Sequence, residues 1–119
     1  MNKEQALHQF YSQFLKAYDE NTVPKGAKLP YLTYTMPICD FGDTTIATIS
    51  IWYREDTWKN ITNKKEEISK VLGLGGKLVT YDDGAMWLKK GTPFAQRMND
   101  EDDSIRRIAM NIEIEFIAE

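Results

Sequence analysis

Asp100, Glu101, Asp102 and Asp103 make the longest run of like charge in the chain. Carboxylates packed this densely belong to a solvated loop, to a divalent-cation site or to a surface that meets a cationic partner. The spacing argues against the cation, because a calcium loop needs ligands at alternating positions and a glycine at its sharp turn. Arginines flank the run, with Arg97 before it and Arg106 and Arg107 after it. A segment carrying both signs suits a head-to-tail contact, in which the acids of one subunit meet the arginines of the next. The candidate interface is therefore Phe94, Arg97, Asp100, Glu101, Asp102, Asp103 and Arg106. Phe94 would be its apolar anchor, since buried aromatics carry more affinity than exposed ion pairs.

The other residues capable of chemistry are dispersed. His8 is the only histidine and Cys39 the only cysteine, which leaves no internal disulfide and no cysteine-based zinc site. His8 falls on a helical stretch and Cys39 in a turn-like "CDFGD", so they do not read as a nucleophile and its base. Asp82 and Asp83 precede Gly84. Asp-Gly is a hairpin signal because both central residues of such a turn need positive φ, and turn chemistry accounts for the two acids. The glycines of "GLGG" (73–76) follow a helix, which makes them a C-cap and not a phosphate cradle. No nucleophile elbow, Walker A loop or dinucleotide fingerprint occurs. No catalytic, cofactor or metal residues are assigned.

The elements that would position these residues follow from periodicity. Leu7, Phe10, Tyr11, Phe14 and Tyr18 recur at helical spacing and predict a helix of about five turns. Asn2 caps it, with Gln5 as reciprocal partner. Residues 31–36 and 45–53 predict two strands flanking a turn at "CDFGD", hence a hairpin. Trp58, Ile61, Ile68, Val71 and Leu72 predict a second helix, begun either by Thr57 or by a capping box of Asn63 and Glu66, and closed by Gly73. Residues 77–81 and 85–89 predict short strands around "DDG". Residues 91–104 show no period and read as a long loop. Residues 107–116 alternate, with Ile108, Met110, Ile112, Ile114 and Phe116 facing a core and Arg107, Ala109, Asn111, Glu113 and Glu115 facing out. The order is α-β-β-α-β-β-β. It predicts one α+β domain over 1–119, with a largely antiparallel sheet of four to five strands and two helices on one face.

The totals restrict the function classes. With 119 residues the chain can bury a core without disulfide or metal. A net charge of −3 lacks the basic excess of a general nucleic-acid binder. The start, "MNKEQALHQF", has charges and no apolar h-region, so it does not read as a signal peptide. No apolar run approaches the ~20 residues of a membrane helix. Trp52, Trp58 and Trp87 are more aromatic mass than two layers need expose, which suggests subunit contacts.

Longer phrases carry a resemblance. "LPYLTYTMP" follows the first helix, then come "TISIWYREDTWKNI", a helix, "DDGAMWLKKGTPFAQRM" and a final "RRIAMNIEIEF". Together they resemble the small tail-terminator or tail-completion proteins of long-tailed bacteriophages and prophages, over nearly the whole chain. The resemblance implies an α+β fold, a homo-oligomeric ring of six subunits that caps the tail tube, and a surface joining tail to head. The implied partners are tail-tube and head-completion proteins. DNA would pass through without specific binding, and no membrane or cofactor is involved. The implied location is the virion tail, assembled in the host cytoplasm. Another small head–tail connector, a minor tail component or an unrelated small-ligand-binding domain is the alternative.

Overall fold

A computed structural model describes residues 1–37 and 44–118. The fold is α+β, with two helices and a six-stranded mixed sheet among the described residues. Helix α1 (Lys3–Ser12) starts in a capping box: the Asn2 side chain accepts the Gln5 amide at 2.8 Å and the Gln5 side chain accepts the Asn2 amide at 3.0 Å. The expected five turns are too many. After Ser12 the chain leaves the helix, and residues Ala17–Asp19 form β1, which pairs in parallel with β2 (Tyr31–Tyr34). Tyr18 matched the helical period by coincidence. Its neighbour Ala17 is buried opposite Leu32, while Tyr18 itself points to the other side of the sheet.

Strand β2 pairs antiparallel with β3 (Thr44–Arg54), so the expected hairpin partners are joined. The turn assigned to "CDFGD", Cys39 included, lies outside the described residues. Helix α2 (Lys59–Leu72) begins earlier than an Asn63 cap would allow. Glu55 supplies the acceptor at its start, taking the Ile61 amide at 3.1 Å, and the Thr57 hydroxyl accepts the Lys59 amide at 3.3 Å. Gly73, at φ 65°, closes the helix as expected.

Strands β4 (Lys77–Tyr81) and β5 (Gly84–Met98) form the expected hairpin, closed by the Tyr81–Gly84 pair. The turn residues are therefore Asp82 and Asp83, one position earlier than an Asp-Gly turn, and neither they nor Gly84 has positive φ. The largest correction concerns residues 91–104. They are not one long loop: β5 continues through Gly91, Phe94 and Arg97 to Met98, and pairs with β6 (Ile105–Ala118) on both sides of an irregularity between Lys90 and Ala95. Only residues 99–104 connect the two strands.

The strand order is β1-β2-β3-β6-β5-β4, which puts the alternating C-terminal strand in the interior of the sheet. Ile108, Met110, Ile112, Ile114 and Phe116 are all buried, as their spacing predicts. Across the sheet Ile51, Ile49 and Ala47 pair with Ile108, Met110 and Ile112, and Leu88 and Met86 pair with Ile114 and Phe116. These side chains share one core with Leu7, Phe10 and Tyr11 of α1 and Ile61, Ile68 and Leu72 of α2. Each such buried side chain contributes about 1.5–3 kcal/mol relative to exposure, and this face holds the sheet on the helices. The opposite face carries neither helix.

Candidate interaction surface

The acidic turn is built around Asp102. One carboxylate oxygen accepts the Ser104 amide at 2.9 Å and the Ser104 hydroxyl at 2.7 Å. The other accepts from the Arg54 guanidinium at 3.3 Å. The Ser104 hydrogen bonds, and then Arg54, hold the Asp102 carboxyl below the usual aspartate range. Asp100 accepts the Asp102 amide at 3.0 Å, which tightens the same turn. Among the described residues no cation pairs with Asp100, Glu101 or Asp103.

The arginines expected to meet a neighbour are engaged within the chain. Arg106 donates to the Asp103 carbonyl at 2.6 Å and to the Asp56 carbonyl at 2.9 Å, which ties the turn to the segment leading into α2. The guanidiniums of Arg97 and Arg106 lie 4.6 and 5.4 Å from the Trp58 ring centroid. Phe94 is half-buried against this chain's own core, with the Lys90 ammonium 5.6 Å from its ring. Phe94, Arg97 and Arg106 therefore serve the fold first. They are not carried on a free loop.

His8 is exposed, and its Nδ1 lies 3.0 Å from the Tyr34 hydroxyl. Asp82 accepts from the N-terminal ammonium at 2.6 Å, and its amide donates to the Met1 carbonyl at 2.8 Å. A cleft of about 300 Å³ opens between Asn2, Lys3 and Glu4 of the first turn and Tyr81 and Asp83 of the hairpin. Among the described residues no group of three His, Cys, Asp or Glu side chains is placed to hold a metal ion. No described helix is long and apolar enough to cross a membrane.

The face without helices carries what sequence reasoning missed. Trp52 pairs with Tyr31 on one side and Arg107 on the other. The Trp52 indole donates to Thr33 Oγ1 at 3.0 Å, and Arg107 Nε donates to Ser50 Oγ at 3.2 Å. These bonds fix the two side chains so that the guanidinium lies 4.5 Å from the indole centroid. Tyr31 continues the row at 6.3 Å from Trp52, and Tyr18 at 5.7 Å from Tyr31. Thr33 and Ser50 are buried beneath the row. Farther along the same face lie Ile46, paired with Glu113 and 55% exposed, and Leu78, paired with Trp87 and 47% exposed. The alternation of 107–116 put Arg107 on an outward face, whereas the reading of 45–53 as a strand gave Trp52 no facing. Their adjacency required the cross-strand register.

The sheet also ends in two different edges. Among the described residues β1 pairs only with β2, and β4 only with β5. No known protein family, characterised protein or solved structure matches the chain.

Proposed function

We propose that this protein is a non-enzymatic virion assembly subunit, of the tail-terminator or tail-completion kind, which forms a ring on the tail tube and joins tail to head. The observation that carries the ring is the pair of sheet edges. They are unlike each other and lie at opposite ends of the strand order, so a contact that joins β4 of one copy to β1 of the next is head-to-tail. Such a contact closes into a ring when the rotation per subunit permits.

Strand β4 offers the better-defined edge. In a two-residue hairpin the closing pair is hydrogen-bonded, so alternate residues Leu78 and Thr80 direct their backbone groups outward. The Asp82 amide, next in that series, already bonds outward to Met1. Unpaired edges are templates for another strand unless something blocks them. The station at the tail follows from the sequence resemblance, and the acidic net charge of −3 suits a passage whose wall must not hold DNA.

The test joins sizing to complementation. Light-scattering mass of the purified protein should show a closed oligomer. Thr80→Pro should preserve the β4–β5 ladder, block edge addition and abolish both the oligomer and the rescue of tail joining in a tail-assembly mutant. A Thr80→Pro protein that still forms the oligomer would remove the edge contact. Full rescue by a protein that stays monomeric on tails would remove the ring.

A further inference from the structure

We infer that the open sheet face is a self-complementary interface on which a second copy of this chain docks, turned end for end about a two-fold axis. This goes beyond the ring reading and uses neither sheet edge. The charge layout of β6 carries it. Arg107 lies at one end of the outward row and Glu113 and Glu115 at the other, with Ala109 and Asn111 between them. The terminal nitrogens of Arg107 make no hydrogen bond or ion pair among the described residues: Ser50 takes its Nε, and the guanidinium lies against the Trp52 ring. Glu113 is likewise in no ion pair among the described residues. Lys89 lies across from Glu113 in the sheet, but its ammonium is placed over the Trp87 ring at 5.9 Å.

The register makes the complementarity specific. A two-fold axis in the plane of the face, crossing the strands at the Ile49–Met110 pair, brings residue 107 of one copy over residue 113 of the other. The same operation brings Trp52 over Ile46, because Trp52 pairs with Arg107 and Ile46 with Glu113. The held indole thus meets the exposed isoleucine, and the hydrogen-bonding edge of the indole-stacked guanidinium meets a carboxylate that is in no ion pair among the described residues. Each contact occurs twice, as an isologous interface requires. The middle of the face is low, with Ala109 and the buried Ser50, so facing sheets can approach to about 10 Å. A molecule of 47 × 31 × 20 Å has a broad side large enough for the ~800 Å² per partner of a standard interface.

The experiment is a charge swap read by sedimentation equilibrium, with circular dichroism melts to verify folding. Arg107→Glu and Glu113→Arg should each weaken self-association at least tenfold. The double variant should restore it, because glutamate at 107 then meets arginine at 113 of the second copy. Trp52→Ala should weaken it without affecting a ring built on the β4 edge. Three results overturn the inference: no self-association beyond the edge-dependent oligomer, single reversals without effect, or a folded double variant that stays as weak as the single ones. An oligothymidylate that binds the wild-type protein at micromolar concentration, and loses binding in Trp52→Ala, would give the face to single-stranded nucleic acid and also overturn it. Loss of the ring in Thr80→Pro with the charge-swap behaviour intact would separate the two contacts.

Discussion

Gly91 lies so close to Asn111 that a Cβ at position 91 would sit 2.9 Å from both the Asn111 Cβ and its carbonyl oxygen. The Asn111 side chain in turn donates to the Pro93 carbonyl at 2.9 Å, across the irregular stretch of β5. The two contacts set the path of β5 over β6 where ladder pairing is interrupted. Gly91→Ala should therefore cost about 1–3 kcal/mol, because the obstruction includes backbone and cannot swing away. Chemical denaturation of the two proteins measures it. A variant within 0.5 kcal/mol of the parent, taken as about the size of a neutral surface change, would mean that the strands are farther apart at this point.

Ile112 is fully buried at the centre of β6, opposite Ala47. Ile112→Asp would bury an unpaired carboxylate, which should prevent stable folding. Loss of the cooperative thermal transition is the expected result. A variant as stable as the parent would show that the side chain reaches water.

The Tyr11 hydroxyl is buried and has no hydrogen-bond partner among the described residues. Burial, and then the neighbouring Tyr34, push its pKa well up from the ordinary tyrosine value. Tyr11→Phe removes a desolvated polar atom while keeping the ring against Tyr34 and Phe10. It should be neutral or stabilising by about 1 kcal/mol, read as an unchanged or raised Tm. A drop in Tm of several degrees would show that the hydroxyl does have a bond.

Asp102 gives the acidic turn a pH dependence of known sign. Its folded pKa is depressed, so its contribution to stability is present above the unfolded aspartate pKa and is lost as pH falls through the folded one. The loss should begin below the ordinary aspartate value of about 4. Asp102→Asn should lower Tm at neutral pH and flatten this part of the acid limb. Parallel Tm–pH curves for the two proteins would mean that Ser104 and Arg54 contribute nothing through the carboxylate.

The sequence alone determined what depends on near neighbours. The capping box of Asn2 and Gln5, the close of α2 at Gly73 and the two faces of 107–116 all rest on contacts within one helical turn or on the two-residue period of a strand. Such patterns survive in a linear reading because the groups that satisfy them are a few residues apart. The strand nature of residues 91–98 did not survive it, since the irregularity between Lys90 and Ala95 breaks the alternation and only β6 supplies the missing partners. Strand β1 was hidden for the same reason: three residues have no legible period, and their pairing with β2 is what makes them a strand. The row from Tyr18 through Tyr31 and Trp52 to Arg107 likewise joins residues from four separate strands. Alternation in 107–116 gave the outward side of Arg107 and of none of the other three. Only the tertiary register brings Tyr31, Trp52 and Arg107 level and sets Tyr18 diagonally beside Tyr31, because hydrogen-bonded pairing between distant segments sets neighbours across a sheet and leaves no periodic trace within either segment.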